Sequence, residues 1–145
     1  MSIFNESNLD RFVRTHNEFY HIALSEIKNG QKVSHWMWYI FPQLRGLVEK
    51  ASSTSQAFSI ADLYEAKEFL SHPLLSSNLK EISSALLELD QTDPHKIFKD
   101  DDKKLLSCMT LFSLISPEGS VFHQVLEKYY DGKRDEKTLE LLKIK

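Results

Sequence analysis

The segment Ser34-His35-Trp36-Met37-Trp38-Tyr39-Ile40-Phe41-Pro42-Gln43-Leu44-Arg45-Gly46 holds both tryptophans of the chain, with Tyr39 and Phe41 beside them. Large rings bury much area and fix geometry, while the indole N–H and phenol O–H still need partners. Such a block serves either as a core anchor or as the wall of a pocket. In the second role a ring face stacks on a planar ligand or lies under a cation, and His35, Gln43 and Arg45 present polar groups beside it. Pockets are mostly apolar with a few placed polar groups, and this block has that make-up. On a helix, residues 36 and 38 point about 200° apart, so the two indoles cannot share one environment. Trp36, one turn before Ile40, is expected in the core. Trp38, nearer the polar Gln43–Arg45 exit, is expected to face a cleft.

Other groups carry weaker chemical signals, each with a structural alternative. Ser53, Thr54 and Ser55 offer hydroxyls and helix-start N–H groups to an anion, or form a solvated loop. His35 and His72 lie at helix boundaries, where an imidazole either turns into a cleft as an acid or base near neutral pH or acts as a cap. Asp100-Asp101-Asp102 precedes the most apolar helix. Carboxylates there complement free N–H groups and the helix dipole; facing a pocket, a pair of them binds a metal or activates water. No histidine stands at ligand spacing from them, so no metal site is assigned. His16, His21, His95 and His123 read as surface or helix-packing residues. Asp131-Gly132-Lys133-Arg134-Asp135 lacks the alternating carboxylates and terminal Glu of a calcium loop and reads as a joint between helices. Cys108 lies in the most apolar helix and reads as a buried, inert thiol. Phosphate-loop, dinucleotide and Gly-x-Ser-x-Gly signatures are absent. No cofactor is assigned, and whether the chain is an enzyme stays open.

The composition sets the frame for these groups. A chain of 145 residues fits one domain, 1–145, and can bury a real core. Apolar residues make up 41% and charged residues 27%, a globular balance. Four glycines and four prolines are few for a turn-rich β-sandwich. A net charge of -3 gives no basic footprint, so nucleic acid is not an expected partner. One cysteine excludes an internal disulfide and fits a reducing compartment. No apolar run approaches the ~20 residues needed to span a bilayer, and no secretory signal is evident. The expected location is cytoplasmic, with no membrane contact.

The periodicity predicts an all-α bundle of seven or eight helices. The first runs from about Leu9 to Asn29, with Phe12, Val13, Phe19, Tyr20, Ala23 and Ile27 at helical spacing and Asn29-Gly30 as the stop. A short helix over about Ser34 to Ile40, capped by Ser34, ends ahead of Pro42. Residues 46–61 are the least regular. Asp62 caps the next helix with Glu65 at the capping-box position. His72-Pro73 breaks it, and Pro73 opens a helix carrying Leu79, Ile82, Leu86 and Leu89 to near Asp90. Thr92-Asp93-Pro94 reads as a cap followed by proline at the first helical position. Residues 103–115, apolar on nearly every side, form the central helix. An amphipathic helix from Val121 to Tyr130 ends at Gly132, and Asp135 caps a final short one.

The aromatic block also resembles the signature of domain-of-unknown-function family 1810, whose members are often labelled calpastatin. The resemblance continues through Ser53, Ser55, Phe58 and Ile60, then Glu65-Ala66 and Leu70-x-His72-Pro73. It resumes at Ile97-Phe98, Asp101-Asp102, Lys104-Leu105 and Ser107-Cys108-Met109-Thr110-Leu111-Phe112, and ends with Gly132-x-x-Asp135 and Thr138-Leu139. It implies one mainly helical domain and no established activity or cofactor. A calpain inhibitor of that label is a disordered, polar, proline-rich chain, whereas this one has the periodicity of a packed domain. Val48, Ser76 and Lys99 stand where the resemblance leads one to expect glycine, and Asn78 where it leads to arginine.

The functional expectation is a small anionic or aromatic ligand held in one cleft. That cleft joins His35, Trp38, Gln43, Arg45, Ser53, Ser55, His72, Asp101, Asp102 and Lys104. Trp38 would stack, Arg45 and the serines would take negative charge, and His35, His72 or an aspartate would carry any proton chemistry. The alternative is a protein-interaction module without catalytic activity.

Overall fold

Local rules account for most helix boundaries in the computed structural model, which describes residues 9–47 and 52–144. The elements are α1 (Asp10–Lys28), α2 (Met37–Ile40), α3 (Ser53–Ala57), α4 (Leu63–Ser71), α5 (Pro73–Glu88), α6 (Pro94–Phe98), α7 (Asp102–Ser113), α8 (Val121–Tyr130) and α9 (Glu136–Leu141). Eight of these are helices of five residues or more; α2 is a single turn. The all-α expectation therefore holds. Among the described residues the sole sheet-like pairing is one parallel bridge, Leu44 with Ile60.

The caps act as their side chains allow. Asp62 accepts from Glu65 N at 2.9 Å, and Glu65 returns by accepting from Ala61 N at 3.0 Å, a reciprocal pairing of free donors. Asp93 accepts from His95 N at 2.9 Å with Pro94 at the first position. Asp135 accepts from Thr138 N at 3.0 Å. Asp131 takes a left-handed conformation and Gly132 follows at φ +77, closing α8 as left-handed residues close helices.

α7 forms the centre. Leu105, Cys108, Met109, Leu111 and Phe112 are fully buried in it, and it packs against α4, α6, α8 and α9. Around it the buried apolar side chains join in one cluster that includes Phe12, Trp36, Phe41, Phe69 and Phe122. Cys108 is buried, and desolvation pushes its thiol pKa well up, so it is an inert core residue. Polar ties cross the core at few points. Buried His16 on α1 bonds the Tyr39 carbonyl of α2 through Nε2 at 2.9 Å and meets Asn78 Nδ2 of α5 through Nδ1 at 3.0 Å. Lys128 on α8 donates to the carbonyls of Leu86, Leu87 and Leu89 at the end of α5, where a helix terminus leaves acceptors free.

Two expectations need correction. Ser34 does not cap a helix over 34–40: α2 starts at Met37, after Trp36. The reason lies eight residues back. Glu26 accepts from Val33 N, Ser34 N, Ser34 Oγ and Trp36 Nε1, at 2.7, 2.8, 2.6 and 2.9 Å, so the serine hydroxyl is turned to α1. Residues 114–115 lie beyond the end of α7. Of the two readings of the Ser53–Ser55 stretch, loop or helix start, the structure has the helix start, capped by Ser52, whose Oγ accepts from Ser55 N at 3.1 Å.

Of the departures from the resemblance, Lys99 adopts φ +55, ψ -128, a conformation that suits glycine. Ser76 lies in the first turn of α5 and bonds the His72 carbonyl. Asn78 meets His16. Val48 falls outside the described residues.

Candidate functional site

The chain leaves α2 at Phe41 and runs extended through Gln43 to Arg45. There it meets the segment that leaves α3. Ile60 N donates to Gln43 O, and Arg45 N donates to Ile60 O, both at 2.7 Å. Gln43 and Arg45 flank the bridge residue Leu44, and all three line one cavity. Gly46 then turns the chain at φ +99, a region that side chains with a Cβ disfavour.

These two segments, with α2 and α3, enclose an open cavity of about 620 Å3. Trp38, Gln43 and Arg45 line it on one side, Ser53, Ser55, Gln56 and Ser59 on the other, and Gly46–Leu47 lies at its edge. Arg11 on α1 fixes the α3 side by donating to Ala57 O, Ser59 O and Glu65 Oε1, at 2.6, 2.8 and 3.0 Å. α9 reaches the edge: Lys137 Nζ donates to Leu47 O at 2.8 Å.

Two polar side chains of the cavity wall differ in how their donors are met. Gln43 is 6% exposed, and its Nε2 is buried with no hydrogen-bond acceptor. Leaving such a donor unmade costs about 1–3 kcal/mol. Arg45 donates its Nε to Ser59 Oγ at 2.9 Å, and Ser59 in turn donates to Gln56 O at 2.8 Å. That orients the guanidinium and leaves its terminal amino groups for an anion, the geometry a planar fork offers to carboxylate or phosphate. Among the described lining residues there is no histidine and no carboxylate. Ser55 Oγ already bonds Ser52 O at 3.0 Å, whereas Ser53 is exposed.

The two tryptophans separate as expected. Trp36 is fully buried and Trp38 is partly exposed at the cavity. The cause differs from the sequence argument: Trp36 precedes the helix at φ -134, ψ 4 and is held through its indole N–H by Glu26. Burial works to raise the Glu26 pKa, but its four hydrogen bonds outweigh that and hold it at about 2.

The remaining candidates do not all converge on this cavity. His72 caps α5, its Nδ1 accepting from Leu74 N and Leu75 N at 3.2 and 3.4 Å. Asp102 faces His95 at 3.5 Å. His35 and Asp101 border a second, shallower cavity of about 480 Å3 with Lys32, Phe98 and Lys99. Lys104 joins the two regions: its Nζ stands 4.9 Å from the Trp38 ring centroid and 2.6 Å from Asp101 Oδ1. The single four-boundary cleft therefore resolves into a cavity built by Trp38, Gln43, Arg45, Ser53 and Ser55, with Lys104 beside it. Sequence reasoning missed Ser59 and Arg11, which shape the α3 wall through contacts made across more than ten residues of chain, and Gln56, whose carbonyl accepts from Ser59 Oγ. No group of three or more His, Cys, Asp or Glu side chains among the described residues is placed to hold a metal ion, and no helix there is long and apolar enough to cross a membrane.

An all-α domain with an open, arginine-bearing cavity beside a paired-tryptophan block is the class that fold and site define. The chain belongs to the family described as protein of unknown function, DUF1810, which it matches over residues 6–142. It is also similar to a conserved hypothetical protein from Mycobacterium tuberculosis known from its crystal structure, at 36% identity and a TM-score of 0.90, covering 97% of this chain and 100% of that one. No curated protein matches it.

Proposed function

We propose that this protein binds a small anionic or aromatic ligand in the cavity between the α2–Gly46 segment and α3. The observation that carries the reading is the Arg45 guanidinium, fixed through its Nε by Ser59 in the wall of a cavity of about 620 Å3, a volume in the range of about 300–1,000 Å3 typical of ligand pockets. Arg45, the sole charged side chain among the described lining residues, supplies the anion contact, and Trp38 the apolar one. The lining groups donate hydrogen bonds and stack; they bind and orient rather than relay protons. The alternative reading, a protein-interaction module, draws less support. The exposed large apolar side chains Ile22, Val33, Tyr64 and Leu141 belong to four separate parts of the chain.

A thermal-shift screen across carboxylates, phosphates, nucleotides, sugars and amino acids tests the reading. A ligand at a hundredfold excess over its Kd raises stability by about 2.7 kcal/mol. The shift is expected for anionic or aromatic compounds with the native chain and is expected to vanish with Arg45→Ala. Shifts that survive Arg45→Ala and Trp38→Ala unchanged would place binding elsewhere.

A further inference from the structure

Lys104 is not part of the cavity wall, yet it covers the indole that is. Its Nζ lies 4.9 Å from the Trp38 ring centroid, so one ring face is already occupied by a cation. The cavity meets the opposite face or the edge. Asp101 holds Lys104 in place through Oδ1 at 2.6 Å and holds Lys32 through Oδ2 at 2.9 Å. Lys32 in turn stands 5.2 Å from the Trp36 ring centroid. The cluster of two lysines and one carboxylate keeps one net positive charge behind the aromatic block. The quadrupole that draws a cation to an indole is thus used from behind. A second cation arriving from the cavity would meet a ring already polarised away from it, and a like charge across the ring.

From this we infer that the cavity takes planar aromatic anions and discriminates against aromatic cations, and that Lys104, positioned by Asp101, sets that discrimination together with Arg45. The inference rests on the ligand-binding reading above and narrows it to one class: an aromatic ring against Trp38, with its carboxylate or phosphate on the Arg45 guanidinium. A site built for cations has the opposite make-up, with aromatic faces free and carboxylates near.

The magnitude follows from Coulomb's law. A ligand charge roughly 10 Å from Lys104, partly offset by Asp101 and near solvent, changes affinity about threefold in each direction. Replacing Lys104 by a neutral residue therefore narrows the anion-to-cation preference by about tenfold.

Isothermal titration with 1-naphthoate, 1-naphthyl phosphate, 1-naphthalenemethanol and 1-naphthylmethylammonium tests the inference. The four share one ring and differ in charge, and the two anions separate carboxylate from phosphate as the preferred group. The native chain is expected to bind one or both anions more than tenfold tighter than the ammonium compound, with the alcohol between. Lys104→Gln is expected to reduce that ratio about tenfold, and Lys104→Arg, which keeps the charge over the ring, to retain it. Circular dichroism establishes that both variants stay folded. Tight binding of the ammonium compound, lost in Trp38→Ala, would overturn the assigned class while leaving the cavity as a binding site. An unchanged ratio in Lys104→Gln would overturn the role of Lys104. Failure of all four compounds to bind at millimolar concentration would overturn the class and the underlying reading together.

Discussion

Gln43→Met is expected to make the protein more stable. The methionine side chain has nearly the length and shape of glutamine, so the wall keeps its packing. What disappears is a buried Nε2 with no acceptor, a group whose unmade bond costs about 1–3 kcal/mol. Against that stands the lost hydration of a polar amide oxygen, about 0.5–1 kcal/mol. The balance is a gain of about 1 kcal/mol. With an unfolding entropy near 2 cal/mol/K per residue, a chain of this length converts that gain into a Tm rise of about 3 °C. Thermal unfolding followed at 222 nm measures the shift, and urea titration with an unchanged slope shows that the denatured state is unaltered. A loss of more than about 1 kcal/mol in Gln43→Met would mean that the amide is satisfied within the protein.

Three other outcomes follow from the same structure. Trp36→Ala is expected to cost about 3–5 kcal/mol in denaturant unfolding, and Trp38→Ala clearly less while removing ligand binding; equal large losses would make the whole block core. Burial holds the His16 pKa at about 4, outweighing the Tyr39 carbonyl bond and adding to repulsion from His72, so the unfolded chain binds the extra proton first. Stability is therefore full above about pH 6.5 and falls by up to about 3 kcal/mol as pH drops from about 6.5 to about 4. Glu26, whose folded pKa is about 2, extends the loss below about pH 4.5; urea midpoints flat from pH 7 to 4 would contradict this. Lys99→Gly is expected to stabilise by about 1 kcal/mol, because the φ +55, ψ -128 backbone burdens a residue with a Cβ; destabilisation would show that the lysine side chain offsets that strain.

Much of the fold is written in short-range rules, and those rules are where sequence reading succeeds. Asp62 with Glu65, Pro73, Asp93-Pro94 and Asp135 each start a helix through bonds made within three residues. The apolar run of α7 announces its central position because a helix without a polar face has nowhere else to go. Part of the cavity is legible too: Gln43 and Arg45 stand as polar residues just after the aromatic block, and both line the cavity beside Trp38. What the sequence does not display is set by contacts between distant segments. Glu26 gathers the Val33–Trp36 turn and displaces the start of α2. Arg11 ties the Ala57–Ser59 segment to α1 across more than forty residues. Asp102 carries the residue type of a site, yet the fold sets it against His95, while His72 serves the local capping role that its place before Pro73 already offered. Trp36 shows that an expectation can hold for a different reason: it is buried as a helical argument suggests, but it precedes the helix and is anchored by a carboxylate.

The central claim is that the cavity beside Trp38 is where this protein binds its ligand. Titration of the isotope-labelled chain with 1-naphthoate, followed by amide and side-chain chemical shifts, tests it most directly. The expected result is a saturating set of changes at the Trp38 indole, the Gln43 side-chain amide, Arg45 and residues 53–59, with His72 and His95 undisturbed. Saturating changes centred on any other part of the chain, or none at all, would contradict it.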